Sequence, residues 1–102
     1  MLELRPNCEC CDKDLPPSAD DARICSYECT FCEDCVIDIL ENVCPNCGGG
    51  FTPRPIRPFV DRRPGTSVLY QKASTERVIS DYSTDEMSDF AQDVKHIAVD
   101  ER

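Results

Sequence analysis

Eight of the nine cysteines fall into four pairs, Cys8/Cys11, Cys25/Cys29, Cys32/Cys35 and Cys44/Cys47. Two, three, two and two residues separate the members of the pairs, and 13, 2 and 8 residues separate one pair from the next. Packing alone does not call for thiols at such spacing. A C-x-x-C unit lets one tight turn aim both sulfurs at a single tetrahedral ion, at about 2.3 Å from each. One such pair means little, whereas four between Cys8 and Cys47 make a strong pattern. The pattern predicts a site for two metal ions held by eight thiolates.

At 102 residues the chain has room for one small domain and an appendage. The cysteine-rich part ends near Phe59, and a segment of that size buries little apolar surface. Such domains usually fold with the help of disulfides, metals or oligomerisation. Binding at structural zinc sites counts directly as folding free energy, roughly 10–16 kcal/mol in zinc-finger peptides. Disulfides are the competing reading. Met1-Leu-Glu-Leu-Arg-Pro6 lacks a basic segment followed by an apolar one, so no secretory signal is expected. The expected compartment is therefore the reducing cytoplasm, where paired cysteines read as metal ligands. An odd cysteine count also suits disulfides poorly. No apolar run approaches the length needed to span a bilayer, and no membrane association is expected.

The formal charge is −9, from 20 acidic and 11 basic residues. Residues 1–59 alone hold eleven acids against five bases. Thiolates bound to Zn²⁺ would add about four further negative charges. Nucleic-acid binding, a frequent task of small zinc modules, needs a basic footprint that this chain lacks.

Leu2 and Leu4 alternate with Glu3 and predict a short strand. Asp12 to Ala22, with Pro16-Pro17 and Asp20-Asp21, reads as a loop. Val36, Ile37, Ile39, Leu40 and Val43 recur at helical intervals, predicting about two turns of amphipathic helix started at Cys32–Cys35. Its apolar side is expected to form a core with Leu15, Ile24, Tyr27 and Phe31. After Gly48-Gly49-Gly50, the prolines between Phe51 and Phe59 predict an extended strap lying back through Phe51 and Ile56. A hinge follows at residues 61–65, and residues 67–72 suggest a strand. Ser83-Thr-Asp-Glu86 is a capping box. Met87, Phe90, Ala91, Val94, Ile97 and Ala98 share one face behind it, predicting an amphipathic helix over 84–98. Alone in water such a helix is marginal, so it must dock on the zinc domain, on a second copy or on a partner.

Two sharings of the metals are compatible with the spacing. In a sequential arrangement, the first two pairs hold one ion and the last two the other. In a cross-brace, the first and third pairs share one ion and the second and fourth share the other. Only two residues separate Cys29 from Cys32, which sets the second and third pairs side by side. A helix running from Cys35 toward a distant fourth pair suits the cross-brace better.

The order C-x2-C, long loop, C-x3-C-x2-C-x2-C, helix, C-P-x-C resembles the RING cross-brace zinc finger over residues 8–47. Cys29 stands where that family often has histidine. Phe31 in Cys29-Thr-Phe-Cys32 and Cys44-Pro-Asn-Cys47 also match its pattern. The resemblance implies that Cys8, Cys11, Cys32 and Cys35 hold one Zn²⁺, and that Cys25, Cys29, Cys44 and Cys47 hold a second. It also implies a small metal-stabilised α+β, treble-clef fold at residues 1–59, with one short helix and short strands. Residues 60–102 are expected to form a flexible acidic extension with the 84–98 helix. The opening Met1–Cys11, Cys44-Pro-Asn-Cys-Gly-Gly49 and the Pro-Arg-Pro segment are similar to a family of short bacterial proteins of unknown function, over residues 1–58.

RING domains that promote ubiquitin transfer dock a conjugating enzyme through an apolar residue before the second ligand, an apolar helix groove that a tryptophan often lines, and often an arginine after the last ligand. Here the first and last positions are Cys10 and Gly48, and the chain has no tryptophan. Ile37 and Leu40 are the nearest groove residues. Ligase activity is therefore not expected, because a shared fold does not carry function with it. Eight closed thiolate ligands suit structural sites rather than catalytic ones. His96 falls in the tail helix and reads as a surface residue. Cys10 has no assigned ligand role, so a thiol-based redox or metal sensor is an alternative, and iron is an alternative to zinc. The function expected is a zinc-stabilised protein-interaction module without catalysis, presenting residues 12–24 and 48–59 to a protein partner. Association of two copies through the tail helix is a further option.

Overall fold

The structure is a computed structural model and describes residues 1–102. Strands β1 (Ala22–Ile24) and β2 (Thr30–Cys32) pair antiparallel, with Ala22 opposite Cys32 and Ile24 opposite Thr30. The turn between them is Cys25–Cys29, in which Glu28 takes a left-handed φ of 66°. Its N–H donates to Cys25 O at 3.0 Å. Strand β3 (Thr52–Pro53) pairs with the other side of β1, giving the order β2-β1-β3. Pro53 cannot donate to a ladder and sits on an edge strand, where proline is tolerated.

Helix α1 (Glu33–Cys35) follows β2 directly and widens into a π-helical turn, Val36–Leu40. The expected regular helix therefore stops early. Glu41 and Asn42, with φ of 46° and 62°, turn the chain left-handed, and the Asn42 side chain accepts the Phe51 N–H at 2.9 Å. The wider turn buries Val36 and Leu40 but leaves Ile37 61% exposed, contrary to its expected place in the core. Tyr27, also expected there, is exposed because it lies at the tip of the β1–β2 turn. Leu4, Leu15, Phe31, Leu40 and Val43 form the buried interior, with the Phe51 ring edge-on to Phe31 at 5.4 Å. Burial of each large apolar side chain contributes about 1.5–3 kcal/mol. Most of the metal-ligating candidates lie in this same interior.

The strap is held mainly by Arg54, which is buried and donates to the carbonyls of Arg5 (2.8 Å), Leu15 (3.2 Å) and Pro16 (2.9 Å). Phe51 lies back as expected, while Ile56 is exposed. Leu2–Leu4 belongs to no strand, contrary to the expected one, although Leu4 is buried. Residues 67–72 form a turn rather than a strand. The Ser67 carbonyl accepts the N–H groups of Tyr70 and Gln71, and its hydroxyl accepts that of Leu69.

Residues 74–102 lie against the head rather than apart from it. Ser74 N–H donates to Leu4 O, and Ser80 N–H to Glu9 O. Val78 exchanges two bonds with the buried Asn7 side chain. Arg77 pairs with Asp12 and Asp14. Helix α2 (Thr84–Val94) begins with the expected capping box, in which Ser83 and Glu86 satisfy each other's N–H groups. It ends earlier than the spacing suggests. Ala98 is extended, a 3-10 turn covers Val99–Glu101, and the Arg102 guanidinium folds back onto Ile97 O, Asn42 O and Gly48 O. On the apolar face of α2, Met87 and Ala91 are buried, and Met87 joins the head's core. The head thus covers Met87 and Ala91, while Val94 is half-buried and Phe90, Ile97 and Ala98, expected on the same face, are exposed, the last two beyond the end of the helix. Glu41 accepts from Gln92 at 2.6 Å and from Lys95 at 3.2 Å, fastening α2 to the turn after the π-helix.

Candidate metal centres

The sulfurs of Cys8, Cys11, Cys32 and Cys35 lie within 4.8 Å of one another. Cys8 and Cys11 come from a loop closed by Cys8 N–H to Lys13 O (2.8 Å) and Asp12 N–H to Cys8 O (2.9 Å). The N–H groups of Cys10 and Cys11 point at Cys8 Sγ, at 3.4 and 3.5 Å. Cys32 ends β2 and Cys35 ends α1, so the strand-to-helix junction delivers both sulfurs to one place. Cys11 Sγ and Cys32 Sγ stand 3.7 Å apart.

The second group joins Cys25, Cys44 and Cys47, whose sulfurs also lie within 4.8 Å of one another. The Cys44–Cys47 turn closes through Gly48 N–H to Cys44 O at 2.7 Å, and Gly49 N–H points at Cys47 Sγ at 3.4 Å. Gly48 has φ +79°, a conformation that glycine adopts without a Cβ penalty. The first pair meets the third, and Cys25 of the second pair meets the fourth, so the sulfurs interleave along the chain rather than pairing sequentially. Cys29 is buried at the rim of the second group but outside the common distance. Its sulfur accepts from Asn46 Nδ2 at 3.4 Å.

Burial dominates the electrostatics. It pushes the Cys32 thiol up to about 11, a rise that hydrogen bonds from Cys35 only partly offset. Burial, reinforced by repulsion from Cys8, drives Cys35 much higher. Burial and the charges of Cys25 and Cys29 do the same to Cys44. Cys11 goes the other way: burial raises it, but bonds from the Lys13 backbone and the neighbouring thiols bring it below the ordinary value. Four thiols packed so closely repel one another once ionised, and a divalent cation reverses that balance. Tight sulfur groups, backbone N–H groups aimed at sulfur and purely thiol donors together fit a metal ion. Sulfur-only tetrads suit zinc or iron.

Cys10 is half-buried and joins neither group. His96 is exposed and joins neither. Of the two helix residues that ligase docking would use, Leu40 is buried and only Ile37 is accessible.

Three supporting residues escaped the spacing argument. Glu9, within the first knuckle, is buried; its carboxylate accepts from Arg5 Nη1 at 2.8 Å and from the Thr30 N–H. With Glu9 N–H to Thr30 O at 2.9 Å, it ties the first knuckle to β2. Asn46 holds Cys29, and Arg54 clamps the strap. Each lies next to a ligand or a proline, but nothing in its local sequence marks its distant partner.

The family described as "Protein of unknown function (DUF1272)" matches residues 1–57. The chain belongs to this family. It is also 52% identical to an uncharacterized protein of Rhizobium meliloti (strain 1021) over 79 residues, which cover 78% of this chain and 87% of that one. This match is longer than the family region, so it continues into the segment that lies across the head. No solved structure matches the chain. No helix is long and apolar enough to cross a membrane.

Proposed function

We propose that this protein is a zinc-stabilised protein-interaction module without catalytic activity of its own. One Zn²⁺ is held by Cys8, Cys11, Cys32 and Cys35, and the other by Cys25, Cys44, Cys47 and Cys29, in a RING-like, treble-clef arrangement. The observation that carries this reading is the interleaving of the two sulfur groups. Each clamps two segments that are distant along the chain, as structural zinc sites do. The β1–β2 hairpin leading into α1 supports the treble-clef assignment. The absence of histidine or carboxylate donors from both groups supports a structural role over a catalytic one.

The surface offered to a partner lies where two of the expected loops meet. Pro17 and Ser18 face Ile56, Pro58, Phe59 and Val68 across a cavity of about 330 Å³. Phe59 is 75% exposed beside it, a large ring left uncovered on a chain this acidic.

Native mass spectrometry of the full chain tests the first half of the proposal, with two zinc ions expected and one in Cys44→Ser. Immobilised zinc-loaded protein tests the second half. It should retain from bacterial extract a protein that Phe59→Ser, at equal zinc content, does not. Identical retention by both forms would remove the interaction surface from consideration.

A further inference from the structure

We infer that the two centres are unequal: the Cys25/Cys44/Cys47 centre is the exchangeable one, with Cys29 a displaceable fourth ligand whose place a small exogenous thiol can take. This rests on reading both sulfur groups as zinc centres.

Three observations carry it. The first group is complete within 4.8 Å, whereas the second reaches that distance with three sulfurs and leaves Cys29 aside. The difference starts in the spacing. Cys25 and Cys29 are separated by three residues instead of two, and the chain absorbs the extra residue by placing Glu28 at φ 66°. A non-glycine residue there is strained, and the resulting turn does not carry Cys29 to its partners as a C-x-x-C turn does. Second, Asn46 Nδ2 donates to Cys29 Sγ at 3.4 Å and so provides an alternative resting place for the sulfur. Third, Tyr27, Cys29, Asn46 and Cys47 line a cavity of about 410 Å³ beside the centre. That volume lies within the range of small-molecule pockets, about 300–1,000 Å³. Cys47 is itself exposed, so an entering ligand has access from solvent.

The exchange needs no oxidant. The entering thiol forms a metal–sulfur bond and passes its proton to the Cys29 sulfur, whose bond to the metal breaks. One thiolate replaces another, and the charge of the centre is unchanged.

The full chain loaded with two zinc ions is mixed with a chromophoric chelator, 4-(2-pyridylazo)resorcinol, with and without reduced glutathione. Zinc should leave in two phases of equal amplitude, the fast one at least about tenfold faster and accelerated by glutathione. Cys29→Ser should speed the fast phase alone, and Asn46→Ala, which removes the alternative partner, should slow it. His96→Ala, exposed and in neither sulfur group, should leave the fast phase unchanged. A single phase, or a fast phase that does not respond to Cys29→Ser or Asn46→Ala, overturns the inference while leaving two zinc sites standing. Should Cys29→Ser fail to fold, the wild-type phases and Asn46→Ala still decide. Fewer than two zinc ions in the loaded wild type would overturn the zinc reading itself, and this inference with it.

Discussion

Glu9 shows how one buried side chain holds the first knuckle in place. Its carboxylate is 3% exposed and pairs with Arg5, whose side chain is 19% exposed, while also accepting the Thr30 N–H. Glu9→Ala leaves the Thr30 N–H without its acceptor and Arg5 with only the Glu3 carboxylate at 3.4 Å, at a cost of about 1–3 kcal/mol. Denaturant unfolding of the zinc-loaded protein should show that loss. Glu9→Gln, which keeps an acceptor for Thr30, should lose clearly less. Equal losses would mean that the Arg5 charge contributes nothing. Neither Glu9 nor Arg54 was legible beforehand. A glutamate between two cysteines and an arginine among prolines read as surface residues until distant carbonyls and N–H groups close around them.

At the scale of elements, α2 is fastened twice, by its cap and by Glu41. Ser83→Ala removes the acceptor for the Glu86 N–H and should cost about 1 kcal/mol. Faster amide exchange over residues 84–94, with unchanged zinc content, would report it. The Glu41 carboxylate is held below the usual range by hydrogen bonds from Lys95 and then Gln92. Glu86 is held low by the Ser83 backbone and side chain. A depressed folded value means that the stabilisation is full above the unfolded glutamate value, about 4.3, and is lost as pH falls through the folded one. Docking of α2 should therefore weaken only in that acidic window, followed by the Ala91 amide resonance. Glu41→Gln should flatten much of the response. A wild-type midpoint at or above the ordinary glutamate value would contradict the latch. The capping box of this helix and its buried Met87 and Ala91 were readable from spacing, whereas Phe90, Ile97 and Ala98, which share that spacing, stay exposed. The helix's end at Val94 was not readable, nor was the return of Arg102 to Asn42 and Gly48 beyond it.

For the whole molecule, the interior is small and contains most of the cysteines, so little apolar burial remains once the sulfur groups come apart. A strong chelator should therefore abolish the far-ultraviolet signal of the head and expose residues 1–59 to proteolysis, and re-adding zinc should restore both. Retention of the fold after complete removal of metal would show that apolar packing suffices without it. The extension is part of this balance. It buries Met87 and Ala91 and covers Leu4, Asn7 and Glu9 through backbone bonds, so its removal should lower the head's resistance to chelation.

What rests on neighbours a few residues apart is legible in the amino-acid order alone. Those features are the cysteine turns, the loop before β1, the Ser83–Glu86 cap and the apolar spacing of α2, each set by backbone geometry over one or two turns. Tertiary structure decided which sulfurs meet, where Cys29 rests, why Ile37 faces solvent and how residues 74–102 close over the head. These depend on contacts between segments dozens of residues apart. Their free energy comes from burial and paired polar groups that no local pattern encodes.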